Sequence, residues 1–319
     1  MHMGQNISTS RDDVPPPGMH KIRGLGLTDM DAGRKRDIMK IVRIVSDAAG
    51  RLDFQIRENY INVYFRGGCI WKIGGVAPKS WGLSFFTEMK YFKRPNSDQL
   101  DSSWLPESRG GVDKWNSVRT RLETVMEGWF NIHPKEERDL QHKCAFNHVI
   151  NTSSNWIIVD IEYAAWLHGK KCNKGALNCR RLCKIDMVAF QRSSLMQSGA
   201  IPLYIIEFKV GGGAVTGTSG VISHAQDIHQ FLCNRADHNA RNAFLESMKN
   251  IVREKLSLGL LPEVPINILK RKFVCRPAFV LKDAPLPDQV TDAINKTLKS
   301  CSDNNLWLEF DSFVSSAKV

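Results

Sequence analysis

No apolar run in these 319 residues approaches the ~20 consecutive residues that a helix needs to cross a bilayer. The opening MHMGQNISTS also lacks the apolar segment of a secretory leader. Together these absences lead us to expect a cytoplasmic protein with no membrane partner. Cysteine is sparse: eight are scattered along the chain with no disulfide-dense framework, so reduced thiols and no structural disulfides are expected. Internal repeats are missing, which excludes solenoid architectures. Acids are outnumbered, with 33 Asp and Glu against 44 Lys and Arg, a net charge of +11. An excess of that size favours a polyanionic partner, nucleic acid before an acidic membrane, because clustered cations displace the counterions of a phosphate backbone. A solvated basic surface spread for solubility is the plainer alternative.

The chain is 42% hydrophobic and 24% charged, a balance that excludes wholesale disorder and allows one large domain or two ordinary ones. Residues 1–20 are polar and carry Pro15, Pro16 and Pro17, as in a flexible tail. Ile38, Ile41, Val42 and Ile44 then recur at helical spacing between Asp31 and Gly50. From Phe54 to Phe92 the pattern changes to FQIREN, YINVYFR, CIWKIGG and LSFFTEMKYFK, four runs rich in β-branched and aromatic residues. This predicts an N-terminal β-rich subdomain over 21–112. Its Tyr60, Tyr64, Phe65, Trp71 and Tyr91 either stack on bases beside Arg57, Arg66 and Lys72 or fill a core. The turn-rich segment 95–112 reads as a surface loop, followed by a helix from Lys114 to Phe130 and another opened by Pro134.

In the rest of the chain, 113–319, three apolar runs carry acids where buried strands should have none: NWIIVDIEY, KIDMVAF and PLYIIEFKV. An ionised carboxylate within such a strand is costly unless it is paired or binds a cation. Side chains alternate along a strand, so Glu207 and Lys209 share one face. A hairpin through 190–202 would bring Asp186 beside Glu207.

Other groups are candidates for the same cluster. Glu137 falls in line with Leu140, Gln141, Cys144 and His148 on the helix after Pro134, though an acid in a first turn also suits the helix dipole. Asp160 and Glu162 share a strand face and either join the cluster or pair with surface cations. Gln226 is placed to reach the site from the next helix, beside His224, or to close a capping box with Ser223. Gly211, Gly212 and Gly213 permit a close phosphate or a plain turn. His168, Cys172, Cys179 and Cys183 together have the donor types of a Cys3His zinc site, with a spacing that matches no common zinc motif.

An aspartate followed about twenty residues later by Glu-X-Lys at the end of a strand resembles the PD-(D/E)XK nuclease superfamily, with Ile185 in place of the usual proline. EERDLQ, DIEYA, KIDMVAF and IIEFKVGGGA are similar more narrowly to an uncharacterised bacterial group within it. The likeness covers residues 134–235, roughly a third of the chain. It implies an α/β (α+β) fold in which a mixed central sheet flanked by helices forms a restriction-endonuclease-like core. It also implies an Mg2+- or Mn2+-dependent nuclease acting on nucleic acid, DNA favoured, in defence or genome maintenance. Asp186, Glu207 and the carbonyl of Phe208 would hold the metal with help from Glu137 or Glu162. Lys209 would act on the attacking water, and Gln226 would take a polar site role. Two other readings stay open: a catalytically silent nucleic-acid-binding module, and an interaction or assembly protein with a protein partner or a second copy of itself.

Overall fold

The structure, a computed structural model, describes residues 22–76, 82–93, 100–150, 155–168, 180–210, 220–261, 264–282, 288–298 and 306–309. The first helix, α1 (Ala32–Asp47), starts where the Asp31 carboxylate accepts the Arg34 N–H at 2.9 Å, an N-cap that satisfies one of the orphan donors of the first turn. Ile38, Ile41, Val42 and Val45 form its buried stripe.

Four strands follow as an antiparallel sheet in sequential order: β1 (Leu52–Ile56), β2 (Ile61–Phe65), β3 (Gly68–Gly74) and β4 (Ser84–Phe86). The fourth is shorter than its sequence suggests, because Met89–Phe92 turns into a 3-10 helix that buries Tyr91 and Phe92. Two helices come next, α2 (Val112–Ser117) and α3 (Arg119–Ile132), broken at Val118 where one continuous helix is expected. Trp115 of α2 stacks on Phe85 of the sheet at 5.7 Å, and Trp129 of α3 meets Tyr91 of the 3-10 helix edge-on at 5.4 Å.

The chain passes to the second sheet through α4 (Glu136–Ile150), which begins two residues after Pro134. Then come β5 (Trp156–His168), β6 (Arg180–Gln191), the short α5 (Arg192–Leu195) and β7 (Ile201–Val210). After α6 (Val221–Cys233) and α7 (His238–Ser257) the chain returns as β8 (Phe273–Lys282), α8 (Asp288–Leu298) and β9 (Leu306–Glu309). The five strands lie in sequential order, antiparallel from β5 to β7 and parallel from β7 to β9. This is a mixed α/β fold. One face of the sheet (Ile158, Ile161, Met187, Ile206, Phe208) packs on Cys144 and Ala145 of α4. The other packs on α6 and α7 through Ala225, Ile228, Phe231, Phe244 and Met248.

A buried charge network joins the two sheets. Arg57 Nη1 lies 2.5 Å from Asp160 Oδ1, and its Nη2 donates to the Ile161 carbonyl at 2.7 Å. Arg23 adds a 3.0 Å contact to the other oxygen of Asp160. Asp160 therefore stays out of the acidic cluster, and Arg57, 3% exposed, is unavailable to nucleic acid. Tyr64, Phe65, Trp71 and Tyr91 are core as well; of the aromatics considered for stacking, Tyr60 alone is not buried, and Lys72 lies over its ring at 4.8 Å.

The expectation of wholly reduced cysteines is corrected at Cys233, which ends α6 and is disulfide-bonded. Cys69, Cys144, Cys183 and Cys275 are thiols, so its partner lies outside the described residues.

Candidate active site

The β6–β7 register brings the acids together. Met187 pairs with Ile206 and Val188 with Ile205, so one step further along the ladder sets Asp186 opposite Glu207. There the Phe208 N–H donates to Asp186 Oδ2 at 2.9 Å. This bond fixes the Asp186 carboxylate against β7. Glu207 is 1% exposed and Lys209 7%, and the lysine Nζ lies 2.6 Å from Glu207 Oε1. The same Nζ is 3.6 Å from Glu137 Oε1, so the first turn of α4 reaches the site as its stripe implies.

Sequence reasoning named Gln226 where His224 does the reaching. α6 starts at Val221 with Gly220 as its N-cap, which places Ser223 inside the first turn and removes the capping box. From this start His224 points to the sheet, its Nδ1 2.6 Å from Glu207 Oε1, whereas Gln226 is exposed. The signal was available: with Val221, Ala225 and Ile228 as the buried stripe, position 224 flanks that stripe and 226 lies opposite it.

Glu162 takes the other course left open for it, pairing with a cation. It stands in register with Asp186, between the Ile161↔Met187 and Tyr163↔Ile185 pairs. Its backbone, however, is left-handed at φ 51°, and its carboxylate pairs with Arg138 Nε at 3.1 Å. The bulge between Ile158 and Asp160 shifts facing along the strand in a way that simple alternation cannot anticipate. Of the proposed zinc donors, Cys183 is a buried thiol; Cys172, Cys179 and the side chain of His168 lie outside the described residues, as do Gly211, Gly212 and Gly213.

The electrostatics of the cluster follow from burial. Loss of water pushes the Glu207 carboxyl up to about 7, against the pull of the Lys209 ammonium. Burial, then repulsion from Glu207, raises Asp186 well above the usual carboxylate range. Burial alone would lower Lys209, but the charges of Glu207 and Asp186 outweigh it and hold the ammonium above its ordinary value. Burial and the neighbouring Lys209 both lower His224, favouring neutral imidazole. Although Glu207 Oε1 is close to two nitrogens, neither contact is aligned as a hydrogen bond, and Oε2 has no hydrogen-bond partner either.

Two repelling, desolvated carboxylates, one of them with unsatisfied oxygens, are what a cation relieves. Among the described residues, no three His, Cys, Asp or Glu side chains form a ready-made metal cage. A divalent ion here would take two carboxylates and complete its shell with the Phe208 carbonyl, solvent and a bound phosphate, an arrangement that suits Mg2+. The residues present fit such an ion. No helix among the described residues is long and apolar enough to cross a membrane. No protein-family model, curated protein or solved structure matches this chain.

Proposed function

We propose that this chain is a metal-dependent nuclease with a restriction-endonuclease-like core, hydrolysing phosphodiester bonds of nucleic acid, DNA favoured. The observation that carries the reading is the convergence of Asp186, Glu207 and Lys209 on adjoining strands, with Glu207 buried and its oxygens unsatisfied. The order α4, β5, β6, β7, α6, a helix, three strands and a second helix, supports it further, being the order that the resemblance implies.

In this reading Asp186 and Glu207 hold Mg2+ or Mn2+, which when bound polarises the phosphoryl group and lowers the pKa of a coordinated water. Lys209 positions that water and offsets the charge that develops on the phosphate. The Phe208 N–H holds Asp186 in its ligating orientation, and neutral His224 accepts a proton or hydrogen bond beside Glu207. Glu137 steers Lys209 from α4. The net charge of +11 supplies affinity for the polyanion without sequence preference.

The test is incubation of purified protein with supercoiled, linear and single-stranded DNA and with RNA, in Mg2+, in Mn2+ and in chelator. Metal-dependent cleavage of DNA is expected. Binding without cleavage in every metal would leave a silent binding module, and neither binding nor cleavage would leave an assembly role.

A further inference from the structure

One face of the first sheet carries a cleft of ≈ 990 Å³ that the proposed chemistry does not use. Asn62 pairs with Lys72, and Lys72 with Phe86, so these three side chains stand in a row across β2, β3 and β4 on one face. Ile61, Val63 and Ile73 point the other way into the core. Phe86 is 38% exposed, and Tyr60 lies beneath the Lys72 ammonium. The Arg138–Glu162 ion pair lines the same cleft.

Asn62 donates from its Nδ2 to the Tyr64 hydroxyl at 3.0 Å. The wall thus combines a part-exposed aromatic side chain, Phe86, with a cation, Lys72, one strand away. That combination suits a planar heterocycle joined to a phosphate. A base stacked inside a duplex offers no free face to such a wall, so the ligand is an unpaired nucleotide.

The cleft is tied to the catalytic cluster through α4, where Arg138 of the cleft follows Glu137 of the cluster. The β2–β3 turn is pressed onto this same point: Gly67 has φ 73°, and a Cβ there would come within 2.7 Å of Arg138 Cβ. Arg66 beside it pairs with Asp139 at 3.2 Å. First sheet and cluster are therefore held in fixed relation.

We infer that this cleft receives one unpaired nucleotide of the strand that runs on to Asp186 and Glu207, its base against Phe86 and its phosphate at Lys72. The continuation of the strand rests on the nuclease reading; occupancy of the cleft does not. The test is fluorescence anisotropy with a short labelled single strand in excess chelator, using wild type, Phe86→Ala, Lys72→Ala and, as a charge control away from the cleft lining, Lys35→Ala. Cleavage in Mg2+ is measured alongside. Phe86 is partly exposed, so its loss leaves the core intact. Stacking on one aromatic predicts that Phe86→Ala weakens binding about 5- to 100-fold, that Lys72→Ala weakens it several-fold, and that Lys35→Ala stays near wild type. Unchanged affinity in both cleft variants, or a wild type that binds no single strand, overturns the cleft site; cleavage by wild type would then leave the nuclease reading standing. Affinity lost in the cleft variants of a protein that cleaves nothing keeps the cleft and removes the nuclease reading.

Discussion

The Phe208 N–H donates to Asp186 Oδ2 at 2.9 Å, so the backbone of the strand that carries Glu207 and Lys209 also orients the acid on the neighbouring strand. Asp186, Glu207 and Lys209 are therefore one unit, and a change at any of them is felt by the others.

That coupling predicts a pH dependence of stability. Glu207 has a carboxyl near 7 when folded, against an ordinary value of 4.5. Between those two values the folded state holds more protons than the unfolded state, so stability falls as pH rises through this window. The loss is on the order of 3 kcal/mol for the metal-free protein. Asp186, raised by the same burial, acts in the same direction. Urea unfolding in chelator, compared at the two ends of the window, should show this loss in wild type and a much smaller one in Glu207→Gln. An equal loss in both would remove Glu207 as its source.

Cation binding should reverse the effect. Carboxylates must lose their protons to ligate, so added Mg2+ or Mn2+ should raise Tm more above pH 7 than below pH 6. A shift of about 3–6 °C is expected with metal at roughly ten times its Kd. Asp186→Asn should abolish it. A shift that survives in Asp186→Asn would place the ion elsewhere.

His224 and Gln226 separate two accounts of α6. His224→Ala should lower turnover by about tenfold or more, as expected for a group that handles a proton or hydrogen bond at the reacting centre. Gln226→Ala, at an exposed position, should stay within about twofold of wild type, as surface changes away from a site do. Steady-state cleavage rates at saturating metal give the answer, and the reverse order would restore Gln226 to the site.

How far the sequence was legible depends on what each element answers to. The β6 and β7 strands and the pairing of Asp186 with Glu207 follow from alternation and from the length of the connection, both local. The α1 cap at Asp31 and the strand identities of β1 to β3 are local too. Which of its two courses Glu162 takes was not legible, because its left-handed backbone and its pairing with Arg138 break the simple alternation of a strand. The burial of Arg57 was not legible because its partner Asp160 lies 103 positions away. Sequence periodicity carries no record of such distant contacts. His224 was legible in principle, given a correct helix start.

The Arg57–Asp160 pair should behave as a buried ion pair. Removing one partner strands the other's charge, so Asp160→Asn should cost about 3–5 kcal/mol. Replacing both, Arg57→Met with Asp160→Leu, should cost less than the sum of the single changes. Additive losses in denaturant unfolding would mean that the two residues act independently.

The central claim is tested most directly by cleavage of DNA in Mg2+ by wild type, Glu207→Gln and Lys209→Met, each with and without excess chelator. The account predicts cleavage by wild type that chelator stops, none by Glu207→Gln, and turnover reduced by about 10² or more in Lys209→Met while metal still binds. A Glu207→Gln variant as active as wild type, or wild-type cleavage that persists in chelator, would contradict it.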